Sequence, residues 1–202
     1  MYDRDDLAEG LLFTDQYQLA MAQLYFEEGM HEHSAQFDAF FRRYPDYGRH
    51  QAGYCVAAGL EPLLEWLEST RCTPADLEAL ADQRAPDGSP RFSPEFLSWL
   101  EVNGHFEKIE MAAIPEGRVV HPHVPLVMVR GPLAMAQILE TALLNHLNYP
   151  TLIASKASRV KTAGRGRPIL EFGLRRGPVQ GAIAGTRAVS GASGRRGTPY
   201  LQ

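Results

Sequence analysis

The spacing of apolar residues changes twice between residues 106 and 170, and this change constrains the fold most. From Phe106, three segments with strand-like composition, FEKIEMAAI, GRVVHP and PLVMVRG, are separated by turns at PEG and HPHVP. PLAMAQILETALLNHLNY then has helical spacing, and TLIASKASRVKTAG predicts a second helix that ends at Gly164. RPILEFGL follows as a strand of the fully buried kind, before a helical segment, VQGAIAGTRAV. This order predicts a mixed α+β or α/β protein, with an α/β unit opening towards its end.

The first hundred residues predict helices with clear start signals and one half-buried strand. In TDQYQLAMAQLYFEEG, Thr14 is expected to cap a helix that Gly29 ends. Its core-facing apolar stripe is expected to comprise Tyr17, Met21, Leu24 and Tyr25, with Tyr17 in the first turn, where it could be partly accessible. AQFDAFFRR alternates apolar and polar residues as a strand does. TPADLEAL and SPEFLSWLE each place Thr or Ser before Pro and an acid, which predicts two short helices.

Charge is distributed unevenly along the 202 residues, whose net charge is −4. From Lys156 onward there are ten basic residues against one acid, Glu171, so this part carries +9 and the first 155 residues carry −13. The asymmetry indicates that the C-terminal part meets anions. A solvated basic surface remains an alternative. Nucleic acid is a weak candidate because the basic segment has few aromatic residues, and small phosphorylated substrates are at least as probable a class.

Segments that would direct the chain to a membrane or out of the cell are not recognisable in the sequence. No apolar run approaches the length of a membrane span, and the acidic N-terminus MYDRDDLAEG lacks the basic region of a signal peptide. Cys55 and Cys72 form neither a CxxC motif nor a disulfide framework. We therefore expect a soluble cytoplasmic protein without a membrane partner.

Two pairs of histidines are candidates for metal ligands. His31 and His33 form HEH, and His121 and His123 form HPH. Such pairs can share one face of a strand, but no cysteine and no fixed carboxylate pattern completes a site, so loop histidines are the favoured interpretation. Glu110, Glu116 and Glu140 are scattered acids whose spacing implies no shared site. No metal ligand is therefore assigned.

The segment EFGLRR is the best candidate site from residue chemistry alone. Ligand sites in parallel sheets lie beyond the carboxyl ends of strands. Phe172 could stack on a flat heterocycle, and Arg175 could hold a carboxylate or phosphate through two parallel hydrogen bonds. A core phenylalanine beside exposed arginines explains the same pattern equally well.

Five blocks give the chain a resemblance to a known family. They are LLFTDQYQLAMAQLYFEEG, FDAFFRR, AAGLEPLLEWL, PEGRVVHPHVPLVMVRGPLAMAQILETALLNHLNYPTLIASKASRV and EFGLRR. In this order, and over most of the chain, they resemble the N-terminal part of nicotinate phosphoribosyltransferases. The resemblance implies an N-terminal α/β domain with a β-sheet core at 1–148. It also implies the start of an incomplete α/β barrel related to type II phosphoribosyltransferases at 149–190, before a divergent flexible tail at 191–202.

The resemblance also implies a reaction and a set of ligand contacts. The family converts nicotinate and phosphoribosyl pyrophosphate into nicotinate mononucleotide, with Mg²⁺ and ATP, and acts as a homodimer. Tyr17 matches a tyrosine that packs on the pyridine ring, usually from the neighbouring subunit. Phe172 matches the aromatic residue on the other face, Arg175 an arginine near the substrate, and Arg176 is a possible phosphate ligand.

The last residues depart from the family pattern. Family members continue with a Gly-Thr-Ser-Asn block and then a histidine that ATP phosphorylates, whereas this sequence reads GRRGTPYLQ and has no histidine after His146. No catalytic residue is therefore assigned, and the chain is expected to be an incomplete, inactive fragment of the enzyme. Two alternatives remain open: a non-catalytic interaction module that pairs with a full-length chain, and a phosphoribosyltransferase that uses nicotinamide.

Overall fold

The computed structural model describes residues 10–49 and 52–167 and two further short strands near the C-terminus. Both helices and strands occur along the described chain, which confirms the mixed fold class. The helices are α1 Gln16–Glu27, α2 Leu60–Ser69, α3 Pro74–Ala81, α4 Pro94–Asn103, α5 Leu133–Ile138 and α6 Glu140–Gly164. The strands are β1 Ser34–Ala39, β2 Cys55–Val56, β3 Glu110–Ala113, β4 Val119–Val120, β5 Val127–Pro132, β6 Ile169–Leu170 and β7 Tyr200–Leu201.

The strands form three small sheets. One has three strands in the order β1, β5, β3, and the other two are antiparallel pairs, β2 with β4 and β6 with β7. In the second sheet Cys55 lies opposite Val120, and in the third Ile169 lies opposite Leu201. None of the helices in the described part of the chain combines the length and the apolar character that a membrane crossing requires.

The described residues divide into two units that interleave along the sequence. The first consists of 10–37, 64–111 and 129–143, and the second of 38–49, 52–63, 112–128 and the described residues from 144 onward. Half of the region predicted to start a barrel, and the predicted tail apart from β7, lie outside the described residues. The domain boundaries at residues 148 and 190 stay a prediction.

In the first unit, α1 packs against α5 and α4. The side chains that it buries are Gln18, Leu19 and Ala22. The predicted stripe is therefore wrong at Tyr17 and Leu24, which are each 52% exposed, whereas Met21 and Tyr25 are partly buried. The buried face is rotated by about one residue, and a glutamine lies in it because its amide finds hydrogen-bond partners there.

The predicted helix signals hold in most places. The Thr73 hydroxyl and the Asp76 carboxylate form a reciprocal capping box at α3, and the Ser93 hydroxyl accepts from the Phe96 amide at α4. Thr14 does not cap α1. The cap position is Asp15, whereas the Thr14 hydroxyl donates to the carbonyl of Ile138 at 2.9 Å.

The end of α1 confirms the predicted role of Gly29. Its φ is +69°, and its amide donates to the carbonyl of Phe26 at 3.0 Å. The amide of Met30 donates to the carbonyl of Tyr25 at 2.7 Å, so the helix ends in a Schellman motif. A left-handed conformation at this position suits glycine, which has no Cβ.

The second unit differs from prediction at Pro150. The sequence predicts two helices separated there, but α6 continues from Glu140 to Gly164 through Pro150, and the break lies at Leu139 instead. Pro150 has no N–H to donate to the carbonyl of His146. The backbone of Gly59 packs directly against that carbonyl. The backbone of Gly59 therefore lies beside the turn of α6 that contains Pro150.

Both cysteines are free thiols, and we expect Cys72 to react slowly. Burial, reinforced by the negative charges of Asp76 and Glu101, raises the pKa of Cys72 to about 12. At pH 8 the thiolate fraction is then about 10⁻⁴, against about a tenth for a thiol of pKa 9. The rate of reaction of the folded protein with a disulfide reagent such as DTNB should be about 10³-fold lower than in urea.

The Cys72→Ser variant provides the control for this measurement. It leaves only Cys55, which is buried and whose pKa is also raised, mainly by burial. The folded variant should therefore show little fast reaction. A thiol in the folded wild-type protein that reacts as quickly as free cysteine, and that Cys72→Ser removes, would contradict the prediction.

Candidate functional site

The sequence predicts four ligand-binding residues, and one of them lies in the described part of the chain. Tyr17 is in the first turn of α1. Phe172, Arg175 and Arg176 lie outside the described residues. Their roles, and their position relative to Tyr17, stay predictions.

Tyr17 offers an accessible aromatic ring. About half of the residue is exposed to solvent, at the start of the helix and on the side opposite to the buried face. Partial loss of hydration raises the pKa of the Tyr17 phenol, and the negative charges of Glu140 and Asp15 raise it further. The phenol therefore stays neutral over a wider range of alkaline pH than a free tyrosine would.

The residue next to Tyr17, Gln18, is bonded into a polar cluster of two buried glutamines and the exposed Glu140. The Gln18 amide donates from Nε2 to Oε2 of Glu140 at 2.7 Å, and Gln137 donates from Nε2 to the same oxygen at 3.1 Å. Gln137 Nε2 also donates to Oε1 of Gln18. Both glutamines are buried, at 0% and 6% exposure. One carboxylate oxygen and two amides thus join α1, α5 and the first residue of α6, which we call the Gln18–Gln137–Glu140 cluster.

A second set of hydrogen bonds fixes the residues before Tyr17. The Asp15 amide donates to Oγ1 of Thr141 at 3.2 Å, and this hydroxyl donates to Oδ2 of Asp15 at 2.9 Å. Together with the bond from Thr14 to Ile138, these contacts attach the start of α1 to the break between α5 and α6. The first turn of α1 is therefore held on two sides.

Sequence reasoning missed this cluster. Spacing marks Glu140 only as a scattered acid, and the predicted apolar stripe does not include Gln18. The available signal was weak: a glutamine directly after the candidate tyrosine, and an acid that favours a helix start. Gln18 lies more than a hundred residues from Gln137 and Glu140 in the chain, so only the fold brings it to them.

In the second unit, a helix N-terminus that could hold an anion is already paired. Oε1 of Glu116 accepts from the amides of Gly59 at 2.6 Å and Leu60 at 2.7 Å, at the start of α2. A carboxylate at this position is favoured by the helix dipole and by the backbone amides. Glu116 therefore has a structural partner that its spacing did not predict.

One basic residue of the C-terminal part also has internal partners. The guanidinium of Arg159 donates to the carbonyls of Ala52, Ser155 and Tyr54, the last at 2.6 Å. It lies 4.3 Å from the centre of the Tyr54 ring. Part of the basic excess after residue 156 thus stabilises the fold of the second unit.

The histidine pairs have structural neighbours in the regions that the structure describes. His31 packs against the rings of Phe26 and Trp99, and Nδ1 of His121 lies 2.7 Å from the hydroxyl of Tyr44. His123 has a φ of +62° in the turn before β5. Over the same residues, no three histidine, cysteine or acidic side chains come together as metal ligands.

Comparisons with known proteins agree on one family. A family model described as the nicotinate phosphoribosyltransferase (NAPRTase) N-terminal domain matches residues 12–148. The nicotinate phosphoribosyltransferase pncB2 of Mycobacterium tuberculosis is 41% identical over 188 residues, which are 92% of this chain and 38% of that protein. The chain thus spans well under half the length of this relative.

Solved structures give the same result. The crystal structure of human nicotinic acid phosphoribosyltransferase matches with a TM-score of 0.73 and 35% identity, over 89% of this chain and 35% of that chain. A nicotinate-nucleotide pyrophosphorylase from Pyrococcus furiosus matches with a TM-score of 0.59 and 20% identity, over 91% of this chain and 38% of that one. The second likeness concerns the fold alone, which is the fold expected from the sequence.

Proposed function

The chain belongs to the nicotinate phosphoribosyltransferase family, and from this we infer that it takes part in making nicotinate mononucleotide from nicotinate and phosphoribosyl pyrophosphate. Its part is to supply one aromatic face of the nicotinate site. The observation that carries this role is the ring of Tyr17, half exposed on a helix turn that hydrogen bonds hold in place. The names of the relatives favour nicotinate over nicotinamide as the base.

Each proposed contact has a simple physical reason. A flat pyridine ring between Tyr17 and Phe172 gains about 0.5–1.5 kcal/mol per aromatic pair beyond the area that it buries. Arg175 can hold the carboxylate of nicotinate with two parallel hydrogen bonds, and Arg176 can contact phosphate. In a homodimer, the exposed Tyr17 of one copy would serve the site of its neighbour.

Arg176 is the one phosphate contact proposed here, and no described residue is assigned to the phosphate chemistry. Mg²⁺ and ATP are implied by the family, but the acids of the described residues form no group that fits Mg²⁺. We assign to this chain the binding and orientation of the base and, through Arg176, a contact with phosphate. A cytoplasmic location, the homodimer and the lack of a nucleic-acid partner stay predictions.

Nicotinate binding to the purified chain tests this proposal. We expect saturation-transfer NMR to detect nicotinate in preference to nicotinamide, and no nicotinate mononucleotide on addition of phosphoribosyl pyrophosphate, ATP and Mg²⁺. Tyr17→Ala should weaken nicotinate binding by about 2- to 10-fold through loss of stacking, whereas Tyr17→Phe should keep it.

Leu24→Ala is the matched control, since Leu24 lies on the same helix with the same exposed fraction, 52%. This variant should bind nicotinate as the wild type does. Equal binding by Tyr17→Ala, or no binding by the wild type, would contradict the proposed role. Product formed by the chain alone would show that the chemistry also resides here.

A further inference from the structure

We propose that the Gln18–Gln137–Glu140 cluster is a positioning device, which sets the direction of the Tyr17 ring rather than the stability of the helix. The inference rests on the proposed role of Tyr17 and adds three residues to it. None of the three needs to touch the substrate. They act through the backbone of the first turn of α1.

The geometry of the cluster restricts the rotation of α1 about its axis. Gln18 is 0% exposed, and its side chain is bonded at both ends, from Nε2 to Glu140 and from Gln137 to Oε1. A buried amide that loses its partners is strongly disfavoured, so these bonds select one rotation of the helix. Successive residues of a helix point about 100° apart. Fixing Gln18 on the buried side therefore fixes Tyr17 on the exposed side.

Stability alone does not explain this arrangement. Leu19 and Ala22 already give α1 a buried apolar contact. A leucine in place of a buried glutamine would avoid the cost of removing an amide from water, and replacing buried polar groups by apolar residues of similar volume is often neutral or stabilising. Directional hydrogen bonds instead select a single orientation of α1, whereas apolar packing alone allows a wider range of orientations.

Glu140 acts in a second way, through its charge. It accepts both amides with one oxygen, and its negative charge, after the effect of lost hydration, helps to raise the pKa of Tyr17. Asp15, held by Thr141, adds to the same field. A tyrosine is already neutral at pH 7, so this shift marks the charge of Glu140 beside the ring and is not a requirement for binding. The two effects can be separated, because Glu140→Gln keeps an acceptor oxygen but removes the charge.

The experiment uses the full chain with 3-fluorotyrosine and follows Tyr17 by ¹⁹F NMR without substrate. Tyr17→Phe identifies the resonance by its loss. In Gln18→Leu/Gln137→Leu, which leaves neither amide unpaired, we expect the Tyr17 signal to move towards its position in urea and to narrow. The urea midpoint of unfolding should stay near that of the wild type. Nicotinate binding should weaken by about 3- to 10-fold, as for loss of the ring contact.

Glu140→Gln gives the complementary result. The ring should keep its wild-type chemical shift at pH 7, because an acceptor remains at position 140, while the titration midpoint of the Tyr17 signal falls. If Glu140 had only a structural role, Glu140→Gln would not lower the titration midpoint while leaving the chemical shift unchanged.

Gln23→Leu is the control, because Gln23 anchors the other end of the same helix. It accepts from the Ser93 amide at 2.8 Å and donates to the Arg91 carbonyl at 3.3 Å. This variant should leave the Tyr17 signal unchanged. An unchanged signal in a folded Gln18→Leu/Gln137→Leu variant would overturn the positioning role. A shifted signal without nicotinate binding by the wild type would support positioning and refute the proposed function.

Discussion

Gly59→Ala should unfold the second unit or destabilise it by about 4 kcal/mol or more, which is the largest effect expected of any single methyl group in the described part of the chain. A Cβ at this position would lie 1.9 Å from the carbonyl oxygen of His146 and 2.9 Å from its carbon. Both are backbone atoms of α6, so no side chain can move aside. The φ of +100° adds strain for any residue with a Cβ. Urea unfolding followed by circular dichroism measures the loss.

Gly53→Ala separates the clash from the backbone conformation. Gly53 lies in the same unit with a φ of +70°, and a Cβ there would meet nothing within 4 Å. Its cost should be about 1 kcal/mol, the cost of a left-handed conformation alone. Equal costs for the two variants would show that α6 yields at His146.

Gly59 also illustrates what the sequence could not reveal. Local signals act within a few residues, so the caps at Thr73 and Ser93 and the end of α1 at Gly29 were predictable. Gly59 and His146 are in contact but lie 87 residues apart in the sequence. The residues around Gly59, AAGLE, contain no signal that predicts this contact. The helix through Pro150 escaped prediction for the same reason, because its tolerance depends on what packs beside it.

The prediction of the buried face of α1 was wrong for a different reason. Apolar spacing selected Tyr17 and Leu24 for the core, although both are half exposed. A buried glutamine cannot be told from an exposed one by periodicity, since its burial depends on partners in other elements. At Tyr17 the family resemblance pointed away from the core, because it implies that the ring packs on a ligand. It gave no hint of Gln137 or Glu140.

Phe96→Ala should destabilise the first unit by about 3–5 kcal/mol. Phe96 is 0% exposed in α4, and its ring centre lies 5.9 Å from that of Phe26, 6.0 Å from Phe92 and 5.8 Å from Trp99. Removing the ring leaves a cavity between rigid aromatic neighbours that cannot collapse without shifting α1 or α4. The fluorescence of Trp99 during urea unfolding would follow the change.

Val102→Ala is the control in the same helix, because Val102 is 71% exposed and its truncation should change the free energy of unfolding by less than about 0.5 kcal/mol. A loss below about 2 kcal/mol for Phe96→Ala would mean that the neighbouring rings close the cavity.

The consequence extends to the proposed site, because Phe26 belongs to α1, the helix that carries Tyr17. The aromatic rings that pack on Phe26 hold the last turns of α1, whereas Gln18, Gln137 and Glu140 hold its first turn. Phe96→Ala should therefore lower the unfolding midpoint without moving the ¹⁹F signal of Tyr17 in the folded protein, whereas Gln18→Leu/Gln137→Leu should do the reverse.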